Sequence, residues 1–251
     1  MADVEALVAA LTLEEKAALT TGADMFSLVG AERVGIPQVN VTDGPSGARG
    51  LSCPGAGGAA ASCLPCGSAV GATWDPAVAG ALGELVGREA FERGCRGLLA
   101  PTVNLHRHPF AGRNFECYSE DPLLSGKLAA AYVRGVQGNG VFATVKHFVA
   151  NEAEFERMTM SSDVDDRALR ELYLVPFELA VKEGGALGIM TSYNRLNGSW
   201  LTEQQALLVD LLRDEWGFEG LVMTDWFAVA STETSLRSGL DLEMPAPARA
   251  L

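Results

Sequence analysis

The segment Leu221–Val222–Met223–Thr224–Asp225–Trp226 places a carboxylate at the end of an apolar run, beside a large aromatic ring. Sugars need that pairing: a flat apolar surface for a C–H face and an anion near the anomeric carbon. An Asp in such a place can equally cap a following helix. Lys146 and His147 follow Thr144–Val145 at the end of another apolar run. Adjacent basic groups there can bind hydroxyls through charge-assisted hydrogen bonds. They can also supply a Schiff-base lysine or pair at the rim with Glu152 or Glu154. Arg113 sits in the aperiodic stretch Gly112–Asp121, where it can fork onto vicinal hydroxyls or fix a carboxylate. Asp43 opens Asp-Gly-Pro, which is ordinary turn chemistry as well as a strand-end carboxylate. His106 and His108 alternate, but no third metal ligand lies at a useful spacing. Cys63 and Cys66 form one C-x-x-C with no second such pair. Glu152, Glu154 and Glu156 read as a solvated acidic stretch, and Met158 and Met160 as packing.

The elements that must position these residues alternate between two types. Short apolar or β-branched runs are predicted as strands at Val39–Asp43, Ala69–Thr73, Leu98–Leu105, Val141–Val149, Gly188–Tyr193 and Leu221–Trp226, with Leu240–Met244 as a further candidate. Helical spacing falls between most of them, over Asp75–Arg93, Asp121–Val136, Asp165–Glu183 and Thr202–Trp216. Pro176 should kink the third of these, and Gly217 should end the fourth. Strand–helix alternation gives an α/β fold with a parallel sheet. Polar or charged residues follow almost every run, including Asp43, Arg49, Asn104, Lys146, His147, Tyr193 and Asp225. All strand ends equipped at one mouth fit a (β/α)8 TIM-like barrel better than an open sheet, where only the switch-point crevice is so equipped. Neither a GxGxxG nor a GxxxxGK[ST] motif is present. Leu51–Gly71, rich in Gly, Ala and Cys, reads as a long loop over one end.

Composition narrows the function classes. At 251 residues the chain suits one large domain, or one domain with part of a second. Nineteen basic against 32 acidic side chains give a net charge of −13, which repels a phosphate backbone and argues against a nucleic-acid partner. With 48% hydrophobic residues it can bury a sizeable core and is no disordered acidic tail. No apolar run is long enough to span a membrane. The N-terminal stretch lacks the charge pattern of a signal peptide, and five cysteines fit reduced thiols, so a cytoplasmic location is expected.

Six segments then carry a resemblance. TDGPSGAR (Thr42–Arg49), LHRHPFAGRNFECYSEDP (Leu105–Pro122), KHFVANEAEFERM (Lys146–Met158), MTSYNRLNG (Met190–Gly198), VMTDW (Val222–Trp226) and GLDLEMP (Gly239–Pro245) are similar, in that order, to the barrel domain of family 3 glycoside hydrolases, in its β-glucosidase branch. The resemblance covers nearly all of residues 1–251. It implies a retaining β-glycosidase of β-glucosidase type, which removes terminal non-reducing β-linked sugars through a covalent glycosyl-aspartate intermediate. Asp225 corresponds to the nucleophile. Asp43, Arg49, Arg113, Lys146 and His147 match the residues that hold the sugar hydroxyls. Tyr193 matches the nucleophile's neighbour, Trp226 the ring that walls the subsite, and Met190 a position near that wall. The hexosaminidase branch is disfavoured, because Asn151–Asp166 contains no histidine.

The same resemblance sets further expectations. The general acid/base of the glucosidase branch is a glutamate in a C-terminal α/β sandwich domain, which is expected to be absent, with the barrel incomplete at its C-terminal end. Glu116, Glu120 and Glu243 are the other carboxylates near strand ends, and none stands out as an acid. Asp225 is expected to be kept ionised by Lys146 and the arginines. The alternative function is a truncated, non-catalytic sugar-binding barrel. The partner implied is a small carbohydrate, with no metal and no organic cofactor. An unclosed barrel would expose an apolar edge and invite self-association.

Overall fold

The structure, a computed structural model, describes residues 3–49 and 60–246. Five parallel strands form the body of the sheet: Val39–Asp43, Gly97–Leu99, Phe142–Phe148, Gly188–Thr191 and Leu221–Thr224, each hydrogen-bonded to the next in sequence order. The Gly188–Thr191 strand is buried along its whole length, as a strand covered on both faces must be. Val41, Leu99, Met190 and Met223, from four of these strands, pack with Leu242 and Met244 and fill the inside of the curve. A second, larger core lies between the sheet and the helices around it.

The fold is a TIM-like barrel, and its ladder thins at the C-terminal end. After Leu221–Thr224 no full strand follows among the described residues. Single bridges carry the sheet onward: Met223 to Leu242, Glu243 to Thr21, and Gly22 to Leu28. The two-residue strand Ser27–Leu28 then pairs antiparallel with Val39–Asp43, through Ser27 opposite Asn40, and the ring returns to its first strand. Val39–Asp43 is thereby paired on both sides, with Ser27–Leu28 on one and Gly97–Leu99 on the other.

The outer helices follow their sequence signals. Asp75 caps Pro76–Glu92, its carboxylate accepting from the Ala77 amide at 2.8 Å, and Asp121 caps Pro122–Gln137 through the Leu124 amide at 2.9 Å. Asp165–Glu183 breaks as Pro176 requires: a short helical start runs into wide turns over Leu169–Tyr173, and a new helix spans Val175–Lys182. The fourth helical stretch is divided into Leu201–Glu203 and wide turns over Ala206–Glu215.

Two strand expectations are corrected. Ala69–Thr73 is not a strand; a helix occupies Gly67–Gly71. Gly67 and Gly71 press against backbone carbonyls of Glu116 and Tyr118, leaving no room for a Cβ, so these small residues serve close packing rather than a ladder. The Leu98–Leu105 ladder stops at Leu99, and beyond it only Thr102 bridges to Lys146. Of the loop read over Leu51–Gly71, residues 51–59 lie outside the described residues.

Candidate active site

Asp225 owes its position to the strand before it. Val222, Met223 and Thr224 are sealed from solvent, and the register Thr191 opposite Thr224 ends the ladder there. The Asp225 amide donates to the Thr191 carbonyl at 3.1 Å, and its carboxylate accepts from the Trp226 amide at 2.7 Å and from the Tyr193 hydroxyl. It caps no helix: the next one, Thr232–Arg237, begins after Ser231.

The neighbouring strand ends converge on it. Lys146, only 4% exposed, donates from Nζ to Asp43 Oδ1 at 2.9 Å, and Arg49 binds the other oxygen of Asp43. The Asp43 carboxylate is thus committed to the cleft, although its carbonyl also closes the local turn by accepting from the Arg49 amide. Lys146 does not pair with Glu152 or Glu154. Glu152 accepts from the Leu105 amide and Asn104, while Glu154 binds Arg157 at 2.6 Å and faces Arg113 at 3.8 Å. These two glutamates are partly buried rather than solvated, which corrects the reading of that stretch; Glu156 is exposed. Arg113 is pinned by Glu116. His147, 2% exposed, lies with Nε2 at 3.4 Å from Asp225 Oδ2.

Burial and charge compete at every one of these groups. At Asp225 burial pushes the carboxyl above its ordinary range, and Lys146, the Trp226 amide, Tyr193 and Arg113 oppose it without cancelling it. Lys146 and Arg113 act in the expected direction, favouring the ionised form, and burial works against them. At Asp43 burial acts upward too, but the Lys146 ammonium, by charge and by hydrogen bond, together with Arg49, holds the carboxyl below its usual range. Burial, with the charges of Arg113, Lys146 and Arg157, keeps His147 neutral far below its normal range. Burial and the Asp225 charge push the Tyr193 phenol up, so it stays a donor.

The nine residues expected at the site all line one cleft, whose empty space of about 600 Å³ includes the open mouth. Asp43, Arg49, Arg113, Lys146, His147 and Asp225 supply its polar face, and Met190, Tyr193 and Trp226 its wall. Four further lining residues were not anticipated: Met25, Phe26, Leu99 and Arg157. Phe26 lies 5.7 Å from Trp226, ring centre to ring centre, and the Trp226 indole donates to the Met25 carbonyl at 2.9 Å. Arg157 stacks over the Tyr193 ring at 4.3 Å. It lies inside one of the quoted motifs, whereas Met25 and Phe26 precede all of them. A cavity with anions, cations and one apolar wall suits a polyhydroxylated ring, which presents donors, acceptors and a C–H face together.

The comparisons with known proteins agree with this geometry. The model of the glycosyl hydrolase family 3 N-terminal domain matches residues 4–250. A β-glucosidase of Rhizobium radiobacter is 55% identical over 239 residues, which are 95% of this chain and 29% of that protein. Beta-glucosidase B of Emericella nidulans is 50% identical over 99% of this chain and 29% of its own length. Among solved structures, the β-glucosidase of Kluyveromyces marxianus in complex with glucose superposes with a TM-score of 0.96 at 42% identity, covering 99% of this chain and 30% of that one. β-Glucosidase 3B of Thermotoga neapolitana in complex with glucose gives 0.92 at 40% identity, covering 96% and 36%. The chain thus spans about three tenths of the length of the curated relatives it matches. Ordered motifs, barrel and cleft meet in one assignment: this chain belongs to glycosyl hydrolase family 3, whose N-terminal domain it carries.

Proposed function

We propose that this domain is the nucleophile-bearing, glucose-binding part of a retaining β-glucosidase. The observation that carries the reading is Asp225, delivered by a buried strand end into a cleft where Lys146, Asp43 and Arg49 already form a charged hydroxyl-binding group. The relatives' names and the glucose found in two of the similar structures support the choice of sugar. Asp43, Arg49, Lys146 and Arg113 grip hydroxyls through charge-assisted hydrogen bonds. Trp226 and Met190 face the apolar side of the ring, and Tyr193 holds the Asp225 carboxylate in place. Asp225 attacks the anomeric carbon as the bond to the leaving oxygen breaks, and water later releases glucose from the ester.

A second carboxyl must protonate the leaving oxygen and then activate that water. Among the described residues the cleft is lined by only one other carboxylate, Asp43, and its low pKa unsuits it to carry a proton. Glu116 is tied to Arg113. We therefore assign the acid/base to a carboxyl from outside this lining, for which the far greater length of the relatives leaves room.

The test follows from the leaving group. General acid assistance is typically worth about 10²–10⁴-fold, and dinitrophenolate needs none. Incubation with dinitrophenyl 2-deoxy-2-fluoroglucoside, from which dinitrophenolate leaves, should leave a stable adduct on the Leu221–Trp226 peptide, found by mass spectrometry and lost in Asp225→Asn. Ordinary glucosides should turn over slowly. Glucose binding without any adduct would reject Asp225 as a competent nucleophile, and rapid turnover of ordinary glucosides would place an acid/base within these 251 residues.

A further inference from the structure

Asn104 is buried, 3% exposed, and makes no contact with the cleft itself, yet all four hydrogen-bonding positions of its amide are used. Its Nδ2 donates to the His147 carbonyl at 3.1 Å and to Glu152 Oε1 at 3.3 Å. Its Oδ1 accepts from the His147 amide at 2.9 Å and lies 3.2 Å from His147 Nδ1. The orientation of this amide is not a free choice. A backbone carbonyl can only accept and a backbone N–H can only donate, so the two contacts with the His147 main chain fix which end of the amide is which. Oδ1 then faces the imidazole as a pure acceptor, and the ring nitrogen opposite it must carry a proton. Glu152 locks the arrangement from behind, its carboxylate also accepting from the Leu105 amide at 3.2 Å.

We propose that Asn104, anchored by Glu152, is a positioning residue that keeps His147 in its Nδ1-protonated form, so that Nε2 enters the cleft as a lone-pair acceptor. The ring is neutral, because burial and the charges of Arg113, Lys146 and Arg157 disfavour the imidazolium, so one proton serves both nitrogens. Nε2 therefore has none to give to Asp225 Oδ2, 3.4 Å away. Two acceptors this close favour a donor beside them, and a sugar hydroxyl is one. His147 would accept a hydrogen bond from a sugar hydroxyl, while Lys146 and the arginines donate to hydroxyl oxygens. A hydroxyl replaced by hydrogen loses this contact, and a site built to bond a hydroxyl rejects the analogue that lacks it. The role given to the lone pair rests on the β-glucosidase reading; the tautomer itself does not.

The test is nitrogen NMR on the full chain labelled with 15N-histidine, the His147 signals being identified by their loss in His147→Gln. At neutral pH the expected pattern is a protonated Nδ1 and an unprotonated Nε2. A protonated Nε2 or an imidazolium overturns the proposal, and this reading needs no activity. In Glu152→Gln, whose side-chain oxygen can still hold Asn104, the pattern should persist. In Asn104→Leu it should shift toward the Nε2-protonated form, and glucose affinity should fall by about tenfold. Among mono-deoxy glucoses, the one discriminated through His147 should lose that discrimination in Asn104→Leu. An unchanged tautomer in a folded Asn104→Leu also overturns the proposal. The expected tautomer in a chain that binds no glucose would instead sink the β-glucosidase reading and leave the positioning role standing.

Discussion

At the scale of single residues, two partly buried carboxylates behave oppositely because of what faces them. Asp43 has two cations within bonding reach, so removing it deletes a hydroxyl acceptor and also strands Lys146 and Arg49 without a partner. Asp43→Ala should weaken glucose binding by about 2–4 kcal/mol, roughly 30- to 1,000-fold in Kd, read by calorimetric titration. Equal affinity would reduce Asp43 to a turn residue. Glu152 has no bonded cation, and burial pushes its carboxyl up to about 7 despite help from the Leu105 amide, Asn104 and Arg107. Its folded pKa lies above the ordinary 4.5, so the folded state holds the proton more tightly than the unfolded chain does. The stability this brings is complete below about pH 4.5 and is lost as pH rises through about 7. Glu152→Gln cannot titrate. The variant should therefore gain on the parent by up to about 3 kcal/mol between about pH 4.5 and about pH 8, measured by urea unfolding at both ends. A difference that stays constant across that window would contradict the shift.

At the scale of elements, the contact between Pro76–Glu92 and Pro122–Gln137 depends on glycine at some positions and not at others. A Cβ on Gly83 would lie 2.3 Å from the Tyr132 carbonyl oxygen, which is backbone and cannot yield, whereas one on Gly80 would meet nothing closer than 3.6 Å. Gly83→Ala should therefore destabilise by about 1–3 kcal/mol through overpacking, and Gly80→Ala should stabilise by about 0.5–1 kcal/mol through helix propensity. Thermal melts of the pair should move in opposite directions, and a shared direction would refute the packing argument. The same elements show what a sequence can and cannot disclose. Asp75 and Asp121, each followed by proline, mark their helices locally, and polar residues at strand ends mark the cleft, so Asp43, Lys146, His147 and Asp225 were legible as a group. Gly67–Gly71 was not, because a short run of small residues suits a strand and a helix alike until its packing partner is known. Met25 and Phe26 escaped because Ser27–Leu28 is too short to show a period. Glu152 escaped because only the fold brings Asn104 and the Leu105 amide to it.

At the scale of the whole molecule, the barrel is held by ladders over most of its circumference and by isolated bridges where Leu242, Glu243, Thr21 and Gly22 meet. The Gly22 amide bonds the Glu243 carbonyl and the Glu243 amide bonds the Thr20 carbonyl, both at 2.9 Å, and the Ala246 amide bonds the Asp24 carbonyl at 3.1 Å, fewer rungs than the longer strands share. Local opening should concentrate there. Hydrogen exchange should be faster at Gly22 and Glu243 than along Phe142–Phe148, and equal protection would mean that the ring opens only as one unit. This closure also joins distant parts of the chain. Trp226 reaches the Met25 carbonyl across 201 positions, and that contact helps form the cleft wall. A ribosome adding about 5–20 residues per second needs roughly 10–40 s to travel from one to the other. Through most of that interval the Met25–Phe26 segment has only its early partner Val39–Asp43, whose Val41 amide bonds the Phe26 carbonyl at 2.8 Å, and neither Asp225 nor the ring beside it yet exists. The cleft is thus a late product of synthesis, with its wall complete only once Trp226 has emerged.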